Sequence, residues 1–200
     1  MNGVYDALHF IEQIKTRDWQ SVPKGKIVAV IGAGNTAIDA VTQAKRLGAE
    51  RVLMIYRRTE KDISAYQYEY ELAKKDGVEF VWQAAPIAIT KGENGSRFNL
   101  RCQKTGGVNQ IFDVPCDVIL KAIGQQKQFG FFQSIGIALD EKNRVAVNEL
   151  MQTSNPKIFA GGDCVNGGAE AVDASQTGKL AAQGIHFILT GEAVAFAGAS

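Results

Sequence analysis

Gly32-Ala33-Gly34-Asn35-Thr36-Ala37 spaces small residues as G-x-G-x-x-A, directly after the apolar run Lys26–Ile31. That spacing handles phosphate with backbone, not with side chains. Gly32 permits a tight turn, Gly34 lets the main chain approach a pyrophosphate, and Ala37 allows a helix to pack closely on a strand. The first amides of the helix beyond would face the anion, aided by the helix dipole. NAD-binding folds place an acidic residue about 20 residues further on, for the ribose 2′-OH. Here Tyr56-Arg57-Arg58 stands at that point, and no carboxylate occurs before Glu60. Two guanidinium groups suit a 2′-phosphate, because the planar fork binds phosphate bidentately. The pair favours NADP(H) over NAD(H), with a solvated loop pair as the alternative.

A second glycine cluster is Ile158-Phe159-Ala160-Gly161-Gly162-Asp163, followed by Gly167-Gly168-Ala169-Glu170-Ala171-Val172. A short strand ends in a turn with an aspartate, and a helix begins just beyond. Asp163 can accept hydrogen bonds from a ribityl or ribose hydroxyl, and amides near Ala169 can face a second ligand. A plain turn or helix-capping role for Asp163 competes with this. The three cysteines, Cys102, Cys116 and Cys164, and the two histidines, His9 and His186, have spacings that match no metal or disulfide framework. Free thiols in a reducing, cytoplasmic setting are expected.

These residues need elements to hold them. Lys26–Ile31, Asn35–Leu47 and Arg51–Tyr56 read as strand, helix and strand, a βαβ unit. Val4–Ile14 reads as an amphipathic helix, and Ser64 is placed to cap a helix running to Lys75. Val78–Trp82 reads as a third strand. Ala88–Lys104 and Val108–Val114 alternate in short segments split by glycines, the pattern of an antiparallel meander. Asp117–Ile123 reads as a further strand, Arg144–Val147 and Ile158–Ala160 as short ones, and Ala169–Leu189 as a long helix.

Twenty-two Lys plus Arg against 21 Asp plus Glu leave a net charge of +1, and 46% of the 200 residues are hydrophobic. That composition excludes charge-driven disorder. It supplies no global field for nucleic acid or an anionic membrane. No run approaches the roughly 20 apolar residues of a membrane span. Neither nucleic acid nor membrane is therefore expected as a partner.

Three stretches together carry a family resemblance: Val30–Asp39; Tyr56-Arg57-Arg58-Thr59 with Ser64-Ala65-Tyr66 and Glu69; and Phe159–Asp163 with Gly168–Val172. The chain resembles the pyridine-nucleotide–disulfide oxidoreductase superfamily, in the branch that holds the glutamate synthase small subunit and the flavin subunit of dihydropyrimidine dehydrogenase. The resemblance implies an α/β fold: a Rossmann-like three-layer NAD(P)-binding domain with an antiparallel meander, plus the C-terminal half of an FAD-binding domain. It implies a helical linker over 1–24, an NAD(P)H-binding domain over 25–124 and the FAD-domain portion over 125–200. Gly32, Gly34, Asn35 and Thr36 would meet the pyrophosphate, and Arg57 and Arg58 the adenosine ribose. Ile123 and Gly124 would mark the return to the FAD domain. Gly162, Asp163, Ala169 and Glu170 would meet FAD, and hydride would pass from NAD(P)H to flavin.

The family's earlier FAD-binding G-x-G-x-x-G and its cysteine-rich iron–sulfur segment have no counterpart in this sequence, nor has the Cys-x-x-Cys of its disulfide-exchanging members. The expectation is a fragment, or a subunit completed by a missing N-terminal FAD/iron–sulfur segment or a catalytic partner. Two other functions compete: a non-catalytic NAD(P)-binding or regulatory domain, and a dehydrogenase acting directly on substrate through Tyr70 and Lys74. An ordinary amphipathic helix also explains that i, i+4 pair.

Overall fold

The computed structural model describes residues 2–93, 95–107, 110–124 and 129–192. The chain divides into two units, Met1–Gly124 and Gln125–Ser200.

In the first unit, β1 (Val4–Asp6) and α1 (Ala7–Thr16) lead to β2 (Ile27–Ile31), α2 (Asn35–Arg46) and β3 (Arg51–Ile55). A 3₁₀ turn over Glu60–Asp62 precedes α3 (Gln67–Lys75) and β4 (Glu79–Val81). The meander follows as β5 (Ala84–Lys91), β6 (Phe98–Lys104) and β7 (Ile111–Cys116), and β8 (Val118–Lys121) returns to the main sheet. That sheet has the order β1-β8-β2-β3-β4, with every pairing parallel. The meander is an antiparallel sheet, β5-β6-β7.

Strands covered on both faces need apolar residues in unbroken runs, and Ile27-Val28-Ala29-Val30-Ile31 is one. Its alternate residues serve two cores. Val28 and Val30 join Val52, Met54 and Leu120 beneath the α2 residues Ala37, Ala40, Val41 and Ala44. Ala29 joins Leu53, Ile55 and Ile119 against Leu100, Cys102, Val114 and Cys116 of the meander. Helices, parallel sheet and meander thus form three layers, the α/β fold expected from the sequence.

The N-terminal segment departs from expectation. Val4–Asp6 is a strand, not the first turn of a helix, because the edge of β8 offers it a ladder, Val4 opposite Ile119. The helix begins at Ala7, where the Asp6 side chain accepts the Leu8 amide at 3.0 Å. Phe10 and Ile14 then enter the main core. Residues 1–24 are therefore part of the first unit and not only a helical linker. Helix α3 starts at Gln67, so Ser64 lies before it and does not cap it. The first meander strand starts at Ala84, four residues earlier than its periodicity suggests, after a corner at Gln83 with φ +54°. Val108 and Asn109, expected in the meander, lie outside the described residues.

The second unit holds α4 (Phe129–Ser134), α5 (Asp163–Asn166) and α6 (Ala171–Thr190). The strands expected at Arg144–Val147 and Ile158–Ala160 form only single bridges, Leu139 to Val145 and Gln152 to Phe159. Helix α6 starts at Ala171, two residues later than expected, after left-handed Gly167 and Gly168. It buries only Gly184, whose Cα lies against the Leu150 carbonyl.

Candidate functional site

In the parallel sheet, β2 has β3 on one side and β8 on the other. Successive connections run one way from β2 to β3 and β4, and the chain later returns on the opposite flank. Open α/β sheets bind ligands outside the strand C-termini where the order reverses in this way. A cleft of about 850 Å³ lies there, lined on one side by the glycine turn and Arg57, and on the other by Pro86 and residues 121–124.

The two glycines of the turn have different physical reasons. Gly32 has φ +132°, and a Cβ there would run into the carbonyl oxygen of Ala122. Its amide donates to the Ile55 carbonyl at 3.0 Å, while the Ala122 amide donates to the Ile31 carbonyl at 2.8 Å. The strands on both flanks therefore require glycine at this position. Gly34 caps α2 with φ −97°, open to any residue, and a Cβ there would meet only the Ser64 hydroxyl oxygen, at 3.4 Å. Among the described residues no backbone contact and no positive φ requires glycine at 34, and the residue lines the cleft.

The start of α2 has no side-chain cap and no acidic residue in its first turn, and helix geometry leaves its first amides without intrahelical acceptors. Asn35 and Thr36 both line the cleft. The Asn35 side-chain oxygen is already engaged, accepting the Tyr66 amide at 3.0 Å. The Ser64 amide donates to the Ala33 carbonyl at 3.2 Å. Residues 64–66 are thus clipped over the glycine turn, and Ser64 joins the lining.

Arg57 and Arg58 are exposed at the end of β3, with only Arg57 lining the cleft. Their backbone is pinned from the meander. The Thr105 hydroxyl donates to the Arg57 carbonyl at 2.5 Å, and the Gln83 amide to that of Arg58 at 2.9 Å. Beyond the arginines, Thr59 and Asp62 bond reciprocally as a capping box, which holds the Asp62 carboxyl below its usual range. The Tyr56 hydroxyl donates to the Asp62 carbonyl at 3.0 Å.

Tyr70 and Lys74 serve the same loop. The buried Tyr70 donates its hydroxyl to Glu60 at 2.5 Å, and the Lys74 ammonium reaches the same oxygen at 3.0 Å while lying 4.3 Å from the Tyr70 ring centroid. The Tyr70 hydrogen bond, then that of Lys74, lowers the Glu60 carboxyl; burial, then Glu60, raises the Tyr70 phenol. Neither residue lines the cleft. They brace the loop that follows the arginines.

In the second unit, Gly162 is buried with φ +75°, and its amide donates to the Thr177 hydroxyl at 2.7 Å. Asp163 is exposed and accepts the Ala169 amide at 3.4 Å. Glu170 caps α6, and its own amide donates to Asp173 at 3.1 Å.

The structure therefore gathers Gly32, Gly34, Asn35, Thr36, Arg57, Ile123 and Gly124 around one cleft, with Arg58 just off its edge. It gathers Gly162, Asp163, Ala169 and Glu170 in a separate cluster. Sequence reasoning missed Ser64, Pro86 and Lys121 as lining and Thr105 as a brace. No motif marks them, because tertiary pairing alone brings them to the cleft. Among the described residues, no group of three or more His, Cys, Asp or Glu side chains could hold a metal ion. No helix among them is long and apolar enough to cross a membrane.

Fold and cleft together define a nucleotide-binding α/β protein of the parallel-sheet kind. The family model for pyridine nucleotide-disulphide oxidoreductases matches residues 2–178, and the chain belongs to that family. It is 34% identical to the glutamate synthase [NADPH] small chain of Escherichia coli K12, across 92% of this chain and 45% of the relative. It is 33% identical to the NADP(+)-dependent formate dehydrogenase subunit beta of Moorella thermoacetica, across 81% and 25%. Among solved structures, the thioredoxin reductase of T. acidophilum superposes with a TM-score of 0.76 at 20% identity, over 94% of this chain and 58% of that one. The chain thus spans less than half the length of these two curated relatives.

Proposed function

We propose that the first unit binds a nicotinamide dinucleotide, NADPH in preference to NADH, and that the chain is the NAD(P)H-binding portion of an FAD-dependent oxidoreductase. The observation that carries this is the contrast at the glycine turn. Gly32 is demanded by Ala122, whereas at Gly34 the described residues offer a Cβ one contact alone, the Ser64 hydroxyl at 3.4 Å, beside the cleft. A turn kept small only for packing would leave Gly34 unexplained. A pyrophosphate approaching the backbone explains it.

In this reading the backbone of Gly32 and Gly34 and the amides of Asn35 and Thr36 hold the pyrophosphate. Arg57 takes the ribose phosphate with help from the charge of Arg58, and Ile123 and Gly124 border the nicotinamide half. Two relatives, a glutamate synthase [NADPH] small chain and an NADP(+)-dependent formate dehydrogenase subunit beta, support the phosphate-bearing cofactor by name.

Residues 125–200 are then the FAD-domain portion. Flavin, when bound, supplies the hydride-accepting chemistry. Asp163, exposed and carrying a carboxylate, fits as a hydroxyl acceptor, and buried Gly162 sets the turn that presents it. The Glu170 amide is committed to Asp173 and contributes by shaping the start of α6. The greater length of the curated relatives supports completion of the FAD site by further sequence or by a partner subunit.

Paired dissociation constants for NADPH and NADH at fixed salt test the proposal. A preference for NADPH of roughly tenfold, about 1.4 kcal/mol, is expected. Arg57→Ala should remove most of it while leaving NADH nearly unchanged, with Arg58→Ala weaker in the same direction. Equal losses for both cofactors would mean that the arginines hold something other than a 2′-phosphate.

A further inference from the structure

Lys121 ends β8 at the cleft, exposed, and it was not marked by any sequence motif. Among the described residues its side chain makes no ion pair or hydrogen bond. Its neighbour in register on β1 is Asp6, whose carboxylate is turned to the Leu8 amide at the start of α1. On its other side the register partner is Ile31, which leads into the glycine turn. An unpaired cation therefore lies at the β8 end of the cleft, across the glycine turn from Arg57.

That position has a chemical consequence. In a doubly wound sheet the two halves of a dinucleotide fall on opposite sides of the switch point. With the phosphate-bearing ribose at Arg57, the nicotinamide half falls beside β8. The oxidised nicotinamide ring carries a positive charge and the reduced ring carries none. An ammonium nearby repels the first and is indifferent to the second.

We propose that Lys121 is a redox-state selectivity residue, which makes the cleft favour the reduced dinucleotide over the oxidised one. The inference rests on the dinucleotide reading of the same cleft and adds which form it retains. Lys121 thereby weakens retention of the oxidised product after hydride has left. Asp6 offsets part of the effect, since its charge lies on the adjacent strand.

The test is the ratio of dissociation constants, oxidised over reduced, for NADP⁺ and NADPH on the whole 200-residue chain at one ionic strength. The adenosine half is the same in both ligands, so changes at the arginine rim cancel in the ratio. Lys121→Met should lower it by roughly three- to tenfold, the scale of one partly screened charge. Lys121→Arg should keep it, and Lys121→Glu should lower it further than Met. A purely structural role would weaken both ligands together and leave the ratio fixed; that result, with both still bound and still dependent on Arg57, overturns the inference alone. If the unaltered chain binds neither form, the dinucleotide reading fails and this inference with it.

Discussion

The Thr105 hydroxyl and the Arg57 carbonyl meet at 2.5 Å, tying the β6–β7 end of the meander to the rim of the cleft. Together with the Gln83 amide on the Arg58 carbonyl, this bond fixes the main chain from which both guanidinium groups project. Long side chains bind phosphate best when their base is already ordered. Thr105→Val removes the donor and keeps the shape. The expected result is NADPH binding weakened about threefold, or roughly 0.7 kcal/mol, within the ordinary range of one hydrogen bond. NADH binding should change less. Titration calorimetry with both nucleotides checks it.

Gly32 and Gly34 should separate folding from binding. Gly32→Ala places a methyl against the Ala122 carbonyl at a backbone conformation that disfavours side chains. A loss of roughly 2–4 kcal/mol is expected from strain and overpacking combined. Gly34→Val adopts an ordinary conformation but gives up a favourable N-cap residue and presses on the Ser64 hydroxyl, so by urea unfolding it should cost about 1 kcal/mol, less than Gly32→Ala, while affinity for both nucleotides falls at least tenfold. If instead both variants unfold alike, glycine at 34 has a structural purpose not visible in its neighbours.

The Tyr70–Glu60 bond should be visible in titration. Its donor holds the Glu60 carboxyl below the ordinary range, with Lys74 assisting. A carboxyl whose value is lowered by folding stabilises the fold above its unfolded value, and that contribution is lost as pH falls through the folded value. The stability of the loop bracing should therefore be flat at neutral pH and decline on acidification below about pH 4.3, the ordinary glutamate value. Tyr70→Phe should move the Glu60 carboxyl upward in a carbon-detected NMR titration. An unmoved Glu60 would show that Lys74 alone sets it.

Thiol reactivity should rank the cysteines. Burial pushes the Cys102 thiol up to about 11 and the Cys116 thiol up to about 12. Cys164 is half-buried, and burial raises its thiol too. Iodoacetamide at pH 8 should modify Cys164 first, leaving Cys102 and Cys116 protected until urea unfolds the meander. Peptide mass spectrometry resolves the order.

What was legible in the sequence was local. Gly32, Gly34 and Ala37, between an apolar strand and an Ala-rich helix, announce a βαβ turn because all their constraints lie within a few residues. The meander was legible for the same reason, from alternation and glycine. Val4–Asp6 was not, since its ladder partner begins at Ile119 and helical spacing in the same stretch masks it. Ser64, Thr105 and Lys121 carry no local signature. Each matters through what another strand or loop brings beside it. The bridges at Val145 and Phe159 misled in the opposite direction: short β-branched or aromatic runs read as strands, yet only one bridge forms at each.

The place of β8 between β1 and β2 also orders events in time. Strands β2, β3 and β4 can pair as they emerge, through short helical crossovers. Strand β1, made before them, has β8 as its neighbour among the described residues, and β8 is synthesised only after the whole meander. Pairings so distant along the chain close slowly, because their loop entropy is paid before any contact rewards it. Until that moment the helix α1 that follows β1 has no finished floor beneath Phe10 and Ile14, and the crevice beside Gly32 lacks the part of its wall that residues 121–124 supply. The cleft is therefore among the last features of the first unit to exist, completed by the strand that carries Lys121.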